Sequence, residues 1–160
     1  MGSGKSTIGR LVAKKLENGY FLDTDSLIES FENREINEIF AIDGEEYFRD
    51  AEKKVFQWIT KNVQNSIIST GGGLPIFIPE IRDAGIVIYL KVPFETIVKR
   101  FDESDIEKRP LFQELNEAEK LFNKRDSIYS ELADFTIRNE NIDETLSQID
   151  EIIKWWAVSE

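Results

Sequence analysis

The 160-residue chain is 41% hydrophobic and 32% charged, the balance of a globular domain long enough to bury a core. It contains neither Cys nor His, which excludes a disulfide framework, a thiol nucleophile, an imidazole base and a Cys/His zinc site. A net charge of −11 argues against nucleic acid as a partner, and with no membrane-length apolar run and no signal peptide the expectation is a cytoplasmic protein.

The first seven residues carry the most specific chemistry. Gly4-Lys5-Ser6 is the second half of the phosphate-binding pattern G-x-x-x-x-G-K-[ST], and an apolar stripe at helical spacing follows it. Glycines let the backbone of Gly2, Ser3 and Gly4 curl so that N–H groups face a phosphate. Lys5 would reach the outer phosphates, and the Ser6 hydroxyl would ligate Mg²⁺. Thr7 continues the loop into a helix whose N-terminus adds partial positive charge. The leading Gly of the pattern and its feeding strand would lie before residue 1, so a further strand of about ten residues is expected there.

Ile8, Leu11, Val12 and Leu16 predict a helix from Lys5 to about Glu17, ended by Asn18-Gly19. Tyr20-Phe21-Leu22 reads as a buried strand with Asp23-Thr24-Asp25 at its carboxyl end, where ligands of open α/β sheets bind. One of the two acids could face Mg²⁺ and the other an acceptor; equally, Asp25 could cap the next helix. Residues 26–62 read as mostly helical, broken at Asp43-Gly44. Within them Arg49 could form ordinary surface pairs with Glu45, Glu46 or Glu52.

Ser66–Thr70 reads as a strand running into Gly71-Gly72-Gly73. Three glycines in a row remove every side chain where a small ligand could lie against backbone. Ile86–Leu90 is the clearest strand, apolar on both faces as parallel strands are. Pro93 opens a helix ending near Lys99-Arg100, and residues 102–114, with Arg109-Pro110-Leu111, look like a surface flap. A helix follows through Leu121, Phe122, Ile128 and Leu132, with Arg125 on its apolar face, where a guanidinium needs an anionic partner. Phe135–Ile137 reads as the last strand. Asn139 or Asn141 would cap a final helix whose stripe, Trp155-Trp156 included, is expected to be core.

Strands alternating with helices imply a layered parallel α/β fold. The ordered set GSGKS, Asp23-Thr24-Asp25, Phe48-Arg49, Ser69-Thr70-Gly71-Gly72-Gly73, Arg109-Pro110-Leu111 and Arg125 with Tyr129 resembles shikimate kinase, a small relative of the nucleoside monophosphate kinases. The resemblance covers essentially the whole chain. It implies a single three-layer P-loop kinase domain over 1–160 whose parallel sheet has the order 2-3-1-4-5, strand 1 being missing from this chain. A substrate-binding helical region over about 26–62 and a lid over about 102–114 are implied with it.

The family's reaction moves the ATP γ-phosphoryl to the 3-hydroxyl of shikimate, giving shikimate 3-phosphate and ADP on the way to aromatic amino acids. The resemblance makes Lys5 and Arg109 phosphate contacts, Ser6 and Asp23 the Mg²⁺ side, and Asp25 the candidate base. Arg49 and Arg125 become the clamp on the substrate carboxylate, Gly71, Gly72 and Gly73 the bed of the ring, and Arg100 the adenine contact. The family's monomeric state is expected too. The alternatives are another small-molecule kinase of the superfamily, such as gluconate kinase, and a non-catalytic binding module. Gluconate kinase would not need the Gly71–Gly73 run with Arg49 and Arg125.

Overall fold

The computed structural model describes residues 2–100 and 115–159. They form two compact units, one of residues 6–86 and one of residues 2–5 with 87–100 and 115–159.

In the first unit, helix α1 (Lys5–Ala13) carries the loop into the domain and buries Ile8 and Val12. It stops four residues before the expected end. Lys15 and Leu16 donate instead to Val12 and Ala13, three residues back, which winds the last turn more tightly. Asn18 then takes a left-handed φ of 56° and turns the chain into strand β1 (Tyr20–Asp23). β1 lies parallel to strand β2 (Ser66–Ser69), with Asp23 opposite Ser69. Both carboxyl ends therefore finish at the same level, and the residues just beyond them become neighbours.

Between the strands run helices α2 (Thr24–Glu32), α3 (Ile36–Ile42) and α4 (Gly44–Asn62). Ile28, Ile39, Phe48 and Ala51 close on one another in their shared core. This cluster gives the segment a packed interior, about 1.5–3 kcal/mol for each large buried side chain. Asp43-Gly44 breaks the helices as expected, Gly44 at φ +84°. After β2 the three glycines lead into the short helix α5 (Leu74–Phe77).

The second unit pairs strand β3 (Ile88–Lys91) with strand β4 (Phe135–Arg138), again in parallel. β3 begins two residues later than the apolar run suggests. The backbone of Val87 is occupied with Asp134, its N–H donating to the carboxylate at 2.8 Å and its carbonyl accepting the Asp134 N–H at 2.8 Å. Helices α6 (Phe94–Arg100) and α7 (Leu115–Leu132) share a core of Val92, Ile97 and Ala118. The two parallel pairs correspond to the 2-3 and 4-5 neighbours of the expected strand order. The segment expected as a lid, with Arg109, lies outside the described residues.

The final helix, α8 (Ile142–Ser159), is capped by Asn141, whose Oδ1 accepts the Glu144 N–H at 3.1 Å. Its first half packs as expected, with Leu146 and Ile149 buried. Its end does not: Trp155 is 58% and Trp156 38% exposed. Trp155 meets the Phe135 ring edge-on, 5.9 Å between centroids. A helix of 18 residues outruns a strand of four, so the apolar stripe continues past the sheet that could cover it.

Candidate active site

The Ser6–Ile86 unit assembles an acidic turn, a glycine turn and an arginine. Asp23 divides its oxygens between two duties. Oδ1 caps α2 by accepting the N–H groups of Asp25 and Ser26 at 3.1 and 3.3 Å, and Oδ2 accepts the Ser6 hydroxyl at 3.4 Å. The cap is thus Asp23 rather than Asp25, which answers the alternative left open by the sequence. Asp25 sits one position inside the helix. Between the two acids, Thr24 is fully buried and its Oγ1 accepts the Gly71 N–H at 2.9 Å. One neutral hydrogen bond therefore ties the acidic turn to the glycine turn.

The glycines are needed for close approach. A Cβ on Gly71 would run into the Asp25 carboxylate, with Cγ at 3.2 Å and Oδ2 at 3.3 Å. A Cβ on Gly73 would run into the Arg49 guanidinium, with Cζ at 2.9 Å and Nη2 at 3.1 Å. The glycine run is thus fitted to two predicted site residues, and Gly72 lies between the two contacts.

Arg49 does pair with Glu45 and Glu52, yet the pairing is not a surface one. Nη1 donates to Glu52 at 2.6 Å, and that carboxylate is only 1% exposed. Nε and Nη2 share one oxygen of the exposed Glu45, at 3.2 and 2.9 Å. Phe77 stacks against the guanidinium, ring centroid 4.1 Å from Cζ. Arginine favours such planar stacking. The buried acid and the ring brace Arg49 from within, while Glu45 meets it from the exposed side.

The other unit holds Gly2 to Lys5, Arg100 and Arg125. Gly2 and Gly4 take φ of 65° and 86°, the curled backbone that the loop motif demands. The Gly2 carbonyl accepts from Arg100 Nη1 at 3.1 Å, and the Ser3 carbonyl from Asn139 Nδ2 at 2.6 Å. Arg100 also donates to the Asn139 carbonyl at 3.0 Å. Lys5 follows as the first residue of α1.

Arg125 is half-buried on α7, and its Nε has no hydrogen-bond partner among the described residues. Burial pushes the Tyr129 phenol above its ordinary pKa, and the adjacent, hydrogen-bonded Arg125 opposes that shift. Close by, the edge of Tyr129 meets Tyr89, whose hydroxyl donates to Asp126 at 2.8 Å. Burial first, and Asp126 second, push the Tyr89 phenol far up as well. Both rings stay neutral at physiological pH, so Arg125 presents its charge without a phenolate to cancel it.

Glu52, Thr24, Phe77, Asn139 and Thr145 are structural partners that sequence reading did not assign. Glu52 was visible only as one of three candidate pairs on a helix face, and Asn139 only as a possible cap. Thr145 carries no local signal.

A curled glycine loop opening a helix, with two acids beyond the end of a parallel strand, defines a P-loop phosphotransferase of the α/β class. Residues 1–156 match the family model described as shikimate kinase. The shikimate kinase of Helicobacter hepaticus is 43% identical over 140 residues, 88% of this chain and 83% of that protein. That of Clostridium botulinum is 42% identical over 159 residues, 96% and 92% of the two chains. Among solved structures, shikimate kinase from Acinetobacter baumannii in complex with shikimate superposes with a TM-score of 0.78 at 32% identity, over 100% of this chain and 90% of that one. The Aquifex aeolicus enzyme gives 0.79 at 30% identity, over 100% and 95%. The chain belongs to the shikimate kinase family. It is an ATP-dependent kinase acting on shikimate, which sets aside both the gluconate and the binding-module alternatives.

Proposed function

We propose that Asp25 accepts the proton of the shikimate 3-hydroxyl as the ATP γ-phosphoryl is transferred, and that Arg49 and Arg125 hold the substrate carboxylate. The observation that carries this reading is the fit of Gly71 and Gly73 against Asp25 and Arg49, which brings the acid and the arginine to one glycine turn. Phosphoryl transfer needs positioning and charge neutralisation more than covalent catalysis, which suits a chain lacking Cys and His. Asp25 stands against Gly71, where a carboxylate could accept the hydroxyl proton. The substrate carboxylate would take the place of Glu45 on Arg49, while Glu52 stays as the buried support. Arg125 supplies the second cation, and Gly72 contributes backbone to the ring's bed.

On the nucleotide side, Gly2, Ser3, Gly4, Lys5, Ser6 and Thr7 cradle the phosphates, Arg100 lies against the adenine, and Arg109 meets the phosphates from the lid over about 102–114. Ser6 and Asp23 are a hydroxyl and a carboxylate in contact, a donor set suited to Mg²⁺ completed by phosphate oxygens and water. Mg²⁺ held there would neutralise charge on the β- and γ-phosphates. The residues between about 26 and 62 form the shikimate-binding region. The enzyme acts as a cytoplasmic monomer with no nucleic acid or membrane partner; no helix among the described residues is long and apolar enough to cross a membrane.

ADP release measured with shikimate, quinate and gluconate tests the assignment. Turnover is expected with shikimate far above the other two. Equal turnover of gluconate would overturn the selectivity for shikimate, and an Arg125→Ala variant with unchanged shikimate KM would overturn the carboxylate clamp.

A further inference from the structure

We propose that Asn139 and Thr145 are positioning residues for the nucleotide, shaping the phosphate loop from its outer side. The inference rests on reading Gly2–Thr7 as the ATP phosphate site. Asn139 follows β4 and is 4% exposed; Thr145, in the first turns of α8, is fully buried. The orientation of the Asn139 amide follows from its partners. The Ser3 carbonyl can only accept, so Nδ2 faces it at 2.6 Å and Oδ1 faces the Thr145 hydroxyl at 3.0 Å. That hydroxyl also lies 2.8 Å from the Asn141 carbonyl, but it has one proton to give. The Asn141 carbonyl is already served by the Thr145 backbone N–H at 3.0 Å and the Arg138 carbonyl lies farther off at 3.5 Å, whereas Asn139 Oδ1 meets no other donor among the described residues, so the proton is assigned to it.

The consequence for the loop comes from peptide geometry. In a trans peptide the C=O and the following N–H point in opposite directions. Holding the Ser3 carbonyl toward Asn139 therefore turns the Gly4 N–H to the opposite side. Arg100 does the same at the preceding peptide, turning the Ser3 N–H away from the Gly2 carbonyl that it binds. Two successive N–H groups are set as an anion-binding concavity before any phosphate arrives. Gly4 is matched to this arrangement, since a Cβ there would lie 2.8 Å from Asn139 Nδ2. The relay Thr145–Asn139–Ser3 thus acts through the loop backbone and need not touch the nucleotide.

The test uses Thr145→Val, which keeps the shape and deletes the hydroxyl, Thr145→Ser, which restores it, and Asn139→Leu, all in the full chain. ADP affinity by calorimetry and the KM values for ATP and shikimate are measured together with thermal melts. Thr145→Val and Asn139→Leu are expected to weaken ADP and raise the ATP KM by roughly five- to tenfold, the effect of about one lost hydrogen bond. The shikimate KM stays unchanged, and Thr145→Ser behaves as the parent. ADP affinity within twofold of the parent in Thr145→Val, or an equal rise in both KM values, would overturn the proposal. Should Asn139→Leu not fold, the Val and Ser variants decide alone. A parent chain that binds ADP but does not phosphorylate shikimate would count against the acceptor assignment, while ADP affinity still judges the loop.

Discussion

The two units solve the problem of holding a functional group still in opposite ways. In Ser6–Ile86 the groups held are charges: Asp25 and Arg49 each lie against a glycine, and Arg49 is braced besides by a buried acid and a ring. In the unit containing Gly2–Lys5 the group held is backbone, and neutral amide and hydroxyl hydrogen bonds hold it, joined by one guanidinium. A charge lodged against a glycine has no slack, because any added carbon meets the charged atoms themselves. Backbone held by hydrogen bonds loses about 1 kcal/mol per bond and can relax. Substitutions at the acceptor side should therefore cost more than those at the loop, and mainly in kcat.

Asp25→Asn gives the sharpest contrast. It keeps the side-chain shape and should lower kcat about a hundredfold or more, as loss of a general base does, with ADP affinity intact. Single-turnover transfer rates and calorimetry would check the two halves, and a fall of less than tenfold in kcat would remove Asp25 from proton transfer. Gly71→Ala comes next. Its Cβ must displace the Asp25 carboxylate, so kcat should fall by about ten- to a hundredfold, as misplacement of a reacting group by an ångström does. A Gly71→Ala enzyme with normal turnover would show that the close approach is incidental.

Glu52→Gln probes the support beneath Arg49. Replacing a buried charged acceptor with a neutral one should destabilise the fold by about 1–3 kcal/mol and raise the shikimate KM several-fold, leaving the ATP KM alone. Urea unfolding with initial-rate kinetics would separate the two effects. The smallest change expected is favourable: Glu45→Gln removes the charge that holds two N–H groups of Arg49 in an exposed i,i+4 pair and leaves a weaker, neutral acceptor. The shikimate KM should then fall by about twofold. A rise instead would mean that Glu45 supports Arg49 rather than competing for it.

Much of this chemistry was legible in residue order. The loop, the acidic turn, the glycine run and Arg125 stood out from local pattern, because each depends on a few consecutive residues or on helical spacing, whereas local pattern made Arg49 a surface pair and only the family resemblance gave it a site role. Two details needed the packed chain. The cap of α2, open between readings in the sequence, is Asp23 because the helix begins at Thr24, directly after β1, and α8 exposes Trp155 because a periodic stripe does not record where its partner sheet stops.

By itself the sequence determined which elements form and which chemical groups stand at their ends, since hydrophobic period, turn residues and motif spacing are properties of neighbours along the chain. Only the tertiary structure decided that Gly71 faces Asp25, that Glu52 is a buried support rather than a surface partner, and that Asn139 reaches Ser3. Those contacts depend on strand register and helix packing, which bring together residues up to 136 positions apart and leave no periodic trace in either segment.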